Sequence, residues 1–486
     1  MVPGNECVIP GSSLIVHRSP FTRRSSPLHD LFRLMTDSAP RTLKQRVLSA
    51  GIWTLVGFVA GQVIRLGGSL VMTRLLIPDM FGIMAIATMV PVILTLLSDV
   101  GLHQNIVQSR RGNDPVFLDT VWSVQIVRGF VLWSIAILVS TALYFANLSG
   151  LLPVDSVYAS PVLPLVIAVS SLSAVIAGFQ STRMAVADRD FSQKQLAQIG
   201  LISQVSGLIV MVVIGTATRS IWALVAGGLL TSLTATMLSH WWMRGHPNRF
   251  RFEKRALQEL TEFGKWIFAA SVVGVLALNG DRLLLGGLVD AHVLGLYAIA
   301  VLIVGAIDYA LQRLFATVSL PALSEIARSD PSRLRDVYYR LRVPGDLLLL
   351  FVTGLLFAAG QILIDLLYDP RYSAAGGILQ ILALSLFMVR YGVALQLYLA
   401  LGIPRYVAII NVVRFISLYT LVPVLYYLAG TQAVIWGIAL HALATVPFIY
   451  TFNARLGLID FRRELLVLVA LPVGFFCGSA LNMLRG

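Results

Sequence analysis

Charge is what this sequence has least of. Asp, Glu, Lys and Arg make up 13% of its 486 residues, about half their share in a soluble domain. A mean hydropathy of +0.81 excludes a water-soluble globule. Cysteine is scarcer still: Cys7 and Cys477 stand at opposite ends of the chain, so no disulfide framework and no metal site follow from them. No Gly-rich loop closing in Lys-Ser or Lys-Thr is present, which argues against ATP hydrolysis within the chain. Large polar loops between the apolar runs are missing on one face, where the longest covers 147–159 and holds no His. A membrane polymerase or acyltransferase would want such a loop or a reactive His. Only His441 of the seven histidines falls well inside an apolar run, where packing or hydrogen bonding is its commoner role. The chain therefore reads as a non-enzyme, with no catalytic residue, metal or cofactor.

What is there in abundance is the unbroken apolar run. Runs cover 48–72, 81–102, 122–146, 160–180, 198–216, 220–243, 264–285, 294–317, 343–367, 374–400, 406–428 and 432–453, each close to the ~20 residues a helix needs to cross a bilayer. A thirteenth, 464–484, has Pro472 near its middle, which leaves open a kinked or interfacial helix. Strands of a barrel would be about 10 residues long and alternating. The fold class expected is thus an all-α polytopic membrane protein.

Lys and Arg set its direction, because basic loops stay on the cytoplasmic side. Residues 1–47, 103–121, 181–197, 244–265, 319–342, 401–405 and 454–463 hold 27 of them, against four in the alternate loops and the C-terminal tail. The N-terminus is expected in the cytoplasm of a bacterial inner-membrane protein. The excess charge of +13 is topological, with anionic lipids as its partners, and gives no reason to invoke nucleic acid. Residues 1–46, rich in Pro, Ser and Arg, lack the apolar core of a secretory signal and are expected to be a disordered basic extension. Within them Met35 opens "MTDSAPRTLKQRVLSAGIW" and is an alternative start to Met1.

The chain also repeats. Shifting it by 213 residues lays Gly51–Ala87 over Gly264–Ala300 with eleven of 37 positions identical, among them Trp53, Gly61, Gly67 and Gly82. Six spans separate the copies, so both have the same orientation, and the axis relating them runs along the membrane normal. Two pseudo-symmetric six-helix bundles, 47–245 and 246–454, are expected to face each other across a cleft, followed by a C-terminal hydrophobic helix in 455–486.

"TRLLIPDMFGIMAIATMVPVILTLLSDVGL" (73–102), "NGDRLLLGGLVDAHVLGLYAIA" (279–300), "LLYDPRYSAAGGILQILALS" (366–385) and "LYLALGIPRYVAIINVV" (397–413) resemble the Wzx-type polysaccharide and O-antigen flippases. These belong to the multidrug/oligosaccharidyl-lipid/polysaccharide exporter superfamily. The resemblance spans about 47–454 and carries no short catalytic signature. It implies a V-shaped pair of bundles that flips undecaprenyl-diphosphate-linked oligosaccharide by alternating access. A polysaccharide polymerase and a chain-length regulator are implied partners, and the protein is expected to be a monomer. A multidrug exporter or a lipid II flippase of the same superfamily are the alternatives; the first would want carboxylates around its cavity.

A few charges interrupt the apolar runs. Asp281 and Arg282 stand together in the seventh, where interfacial snorkelling and a wet cavity are both open readings. In the repeat register Arg282 overlies Ser69, and Arg65 lies one turn before Ser69 on the same helical face. Arginine binds phosphate oxygens bidentately and keeps its charge when buried. Arg65, Arg282, Arg390 and Arg414 are therefore the expected diphosphate-binding residues, and Asp281 and Asp308 the candidates for coupling to an ion gradient.

Overall fold

Prolines and aspartates open the helices. The computed structural model describes residues 43–98 and 101–485. Helix α1 runs Leu43–Leu75, and α2, Pro78–Leu97, starts on a proline after the extended Ile77, a position where the missing N–H costs nothing. A short α3, Leu102–Gln108, leads to α4, Pro115–Leu148, whose N-cap Asp114 accepts from the Val116 amide at 3.0 Å. The fourth apolar run is broken into α5, Leu163–Ser170, and α6, Leu172–Gly178, and α7, Arg183–Arg189, follows at 65° to that pair. Next come α8, Gln193–Thr218, and α9, Trp222–Trp241.

An extended stretch leads into the long α10, Lys254–Leu288, and Asp290 caps α11, Ala291–Ser329, through the Val293 amide at 2.8 Å. Helix α12 is Leu334–Leu367. The tenth run is again broken, into α13, Ala375–Ala383, α14, Leu386–Val389, and α15, Gly392–Ala400. Helix α16, Pro404–Leu440, holds two spans, because Gly430 at φ 72° and ψ −164° breaks it in a conformation open to glycine. Helix α17, Val446–Arg455, completes the twelfth run, and α18, Phe461–Leu468, and α19, Ala470–Arg485, form the thirteenth. That last break falls at Val469, ahead of Pro472, which sits in the first turn of α19 where proline is tolerated.

Among the described residues each of the thirteen apolar runs is mainly helical, and no strand occurs. Ten helical stretches among them are long and apolar enough to cross a membrane, or eleven counting the bent α5–α7 segment. Apolar side chains such as Leu138, Phe145, Ile209 and Val213 are more than half exposed, as on helices whose outer face meets lipid. The protein is a multi-pass membrane protein. The N-terminal extension and both possible starts lie outside the described residues, except that Leu43–Arg46 already belong to α1.

Inside, one apolar cluster continues from Ile86, Ala87 and Leu163 into Leu285, Leu294 and Ile299, so the core crosses from the first half of the chain into the second. Helix α19 lies directly on α12. A methyl group built on Gly474 would stand 2.0 Å from the carbonyl oxygen of Phe351, and one on Gly354 2.1 Å from that of Leu471. Only glycines allow two backbones to come this close, the usual means by which helices pack in lipid.

Candidate functional site

Where the first half meets the second there is a cavity of about 520 Å³. Its walls come from α1, α2, α8 and α9 on one side and from α10 and α11 on the other. Arg65 of α1 and Arg282 of α10 both line it, with Ser69, Thr88, Gln204 and Thr231 as the other polar side chains and Met72, Met84 and Met211 as much of the apolar remainder. The Thr231 hydroxyl is used up on the Gly227 carbonyl at 2.9 Å. Arg282 Nη1 lies 3.4 Å from the Met89 sulfur, a weak acceptor that leaves its charge uncompensated. Among the described residues neither Arg65 nor Arg282 forms a salt bridge. The chamber thus holds two cations and no carboxylate in a largely apolar lining.

The other four sequence-predicted residues do not line this chamber. Asp281 turns from it and accepts from the Tyr297 hydroxyl. Asp308 accepts from Gln312 Nε2 at 2.6 Å. Arg414 interacts electrostatically with both carboxylates, and its Nε has no hydrogen-bond partner among the described residues. All three belong to the second half of the chain, and among the described residues no salt bridge joins Arg414 to either acid.

Arg390 is a correction. Its side chain is 1% exposed and sits 2.6 Å from Glu464 and 3.3 Å from Asp346. Arg342 completes the quartet, 2.6 Å from Glu464 and 2.9 Å from Asp346, and the Tyr339 hydroxyl donates to Glu464 at 3.1 Å. Two arginines and two carboxylates cancel, and the Arg342 guanidinium lies over the rings of Tyr338 and Tyr391 at 5.6 and 4.9 Å. Arg390 is therefore a structural charge that joins the tenth and thirteenth apolar runs to α12. Sequence reasoning missed its partners, although Arg342 and Asp346 at i and i+4 share one helical face.

One end of the chamber is closed by backbone. A methyl group on Gly82 would lie 2.0 Å from the Ala291 carbonyl oxygen, and one on Gly295 1.9 Å from that of Pro78. Asp79 Oδ2 faces His292 Nδ1 at 3.2 Å. Each contact recurs with its roles exchanged when the numbering is shifted by 213. Around this seam Tyr372 donates to the Leu76 carbonyl at 2.9 Å and Arg371 to that of Arg74 at 3.0 Å. Arg371 also holds the Asp369 carboxyl below the ordinary carboxylate range. Tyr158 donates to the Leu283 carbonyl at 2.9 Å, and burial pushes its hydroxyl up to about 12, so it remains a donor.

The opposite, basic end is tied by ions. Arg111 bridges Asp114 at 2.7 Å and Glu253 at 2.6 Å, and its charge keeps the Asp114 carboxyl below the ordinary range. The extended stretch before α10 is pinned to α4 by three amides: Arg249 donates to Asp119, Arg251 to Ser123 and Glu253 to Thr120.

Residues 71–375 match the family described as polysaccharide biosynthesis protein. The chain is 22% identical over 347 residues to the lipopolysaccharide biosynthesis protein WzxC of Escherichia coli (strain K12), covering 70% of this chain and 67% of that protein. Over 302 residues it is 22% identical to an uncharacterized membrane protein in the cps region of Klebsiella pneumoniae, which covers 62% of this chain and 60% of that one. In three dimensions it is similar to the lipid II flippase MurJ in an inward closed conformation, with a TM-score of 0.66 and 14% identity over 88% of this chain and 92% of MurJ. An inward-facing multidrug resistance MATE family transporter of the MOP superfamily gives 0.64 and 13% identity, over 82% of this chain and 94% of that one. At such identities these two structures establish a shared fold.

Proposed function

The chain belongs to the polysaccharide biosynthesis protein family and is a Wzx-type flippase, and from that premise we propose that it moves undecaprenyl-diphosphate-linked oligosaccharide from the cytoplasmic to the periplasmic leaflet of a bacterial inner membrane. The observation that carries this reading is the pairing of Arg65 and Arg282, one from each half, in a single chamber without carboxylates. A diphosphate fits such a pair, whereas a cationic drug would be repelled by it. The naked headgroup would pay on the order of tens of kcal/mol to cross hydrocarbon. The chamber removes that cost while the polyprenyl tail stays in lipid.

Alternating access is the mechanism. The halves 47–245 and 246–454 rock about the seam at Gly82 and Gly295, where the exchange of roles by a shift of 213 supports a two-fold axis along the membrane normal. The basic end, rich in Arg and Lys, faces the cytoplasm with the N-terminus, so the seam is the periplasmic gate and is shut. The segment 455–486 stands outside this pair of bundles as a thirteenth helix. The electrostatic interaction of Arg414 with Asp281 and Asp308 supports a coupling role for those acids: protonation or cation binding at either one changes the field that Arg414 feels.

The test is translocation of a fluorescent polyprenyl-diphosphate oligosaccharide by the purified protein in liposomes. Arg65→Gln and Arg282→Gln are each expected to slow it about tenfold or more, the worth of one charge-assisted hydrogen bond. Wild-type rates in both variants would overturn the reading.

A further inference from the structure

Along the outer face of α12 two hollows meet. One, of about 630 Å³, is lined by Asp336, Tyr339, Arg340, Arg463 and Leu466. The other, of about 500 Å³, is wholly apolar and is lined by Leu347, Leu348, Phe351, Leu466, Val469 and Val473. Leu466 belongs to both, so they form one groove between α12 and the α18–α19 helix with a charged end and a greasy end.

The charges at the polar end do not cancel. Asp336 is paired with Arg463 at 3.1 Å, and Asp460 is shared between Arg335 at 3.4 Å and Arg463 at 3.3 Å. Arg340 is exposed and, among the described residues, forms no salt bridge. That leaves a guanidinium at the mouth with its donors free for phosphate oxygens.

Length chooses among lipids. From Arg340 to Phe351 is eleven residues of helix, or ~16 Å at 1.5 Å per residue, about half of a ~30 Å hydrocarbon core. The groove therefore runs from headgroup depth to the bilayer middle, the reach of a lipid in one leaflet. A polyprenyl chain several times longer would overrun it.

We propose that this groove is a binding site for an anionic glycerophospholipid, its phosphate on Arg340 and one acyl chain against Leu347, Leu348, Phe351, Val469 and Val473. The site is separate from the central chamber. It lies on the helix pair fastened from within by the Arg342–Glu464 ion pair, so the bound lipid would splint the attachment of α18–α19 to α12 from outside.

Native mass spectrometry of the full chain, extracted in mild detergent and titrated with phosphatidylglycerol, phosphatidylcholine of the same chains, a polyprenyl phosphate, or inorganic phosphate, tests the site. One phosphatidylglycerol is expected to survive delipidation, at least fivefold over phosphatidylcholine. Arg340→Glu should abolish that preference, and Leu348→Trp, which fills the apolar hollow, should lower retention of both glycerophospholipids. Val213→Trp, on an exposed apolar face elsewhere, should change nothing and controls for general damage. Equal retention of phosphatidylglycerol by Arg340→Glu and wild type would overturn the proposal. So would preferential retention of the polyprenyl phosphate, or displacement of the lipid by inorganic phosphate alone.

Discussion

Four arginines look alike in the sequence, each a cation inside an apolar run, and the structure gives them three different surroundings. Arg65 and Arg282 face an open chamber, Arg414 faces two acids, and Arg390 is sealed against Glu464 and Asp346. The difference lies in tertiary partners more than forty residues away, which neither hydropathy nor helical spacing encodes. The register of the repeat paired Arg65 with Arg282, and both line one cavity. Removing a buried charge should therefore behave unlike removing a chamber charge. Arg390→Ala strands a carboxylate and is expected to destabilise the protein by about 3–5 kcal/mol, measured by denaturant unfolding in detergent. Arg65→Gln should leave that midpoint unchanged while it slows flipping.

Helices were the most legible elements, since a run of ~20 apolar residues has one solution in a bilayer. Their interruptions were less so: the fourth and tenth runs carry no internal proline at their breaks, and the one charge there, Arg390, looks no different from Arg65 or Arg414, which sit inside locally unbroken helix. Glycines could be counted but not interpreted from sequence. Gly67 and Gly82 both recur in the repeat, yet a methyl group on Gly67 would meet open space while one on Gly82 would strike the Ala291 carbonyl. Gly82→Ala is expected to wedge the seam apart. In a Cys477→Ser background, a Ser69→Cys probe should then react several-fold faster with a membrane-impermeant thiol reagent added from the periplasm. Gly67→Ala should leave that rate as it was; equal rates in both would show that the seam does not gate the chamber.

At the scale of the whole molecule, ties at the two ends hold the halves together, and both include partly buried acids with depressed pKa values. Asp369 beside Arg371 and Asp114 beside Arg111 add stability that is present above the ordinary carboxylate value of about 4. It is lost as pH falls through their lower folded values. Melting temperature should therefore drop on acidification below about pH 4, and Asp369→Asn should melt lower at neutral pH and show a shallower acid decline. Gradient dependence belongs to this scale as well. Asp281→Asn is expected to abolish any response of flipping to an imposed proton or sodium gradient, and an unaltered response would remove Asp281 from that role.

The ionic quartet on α12 bears on how the chain is made. Arg342, Asp346 and Arg390 enter the membrane well before Glu464 leaves the ribosome, so a nascent chain holds two guanidinium groups against one carboxylate in a dry interior. Synthesis of the last helix neutralises that excess and docks α19 by its glycines in the same step. A polypeptide halted before residue 464 would carry a guanidinium without the carboxylate that neutralises it in the finished chain.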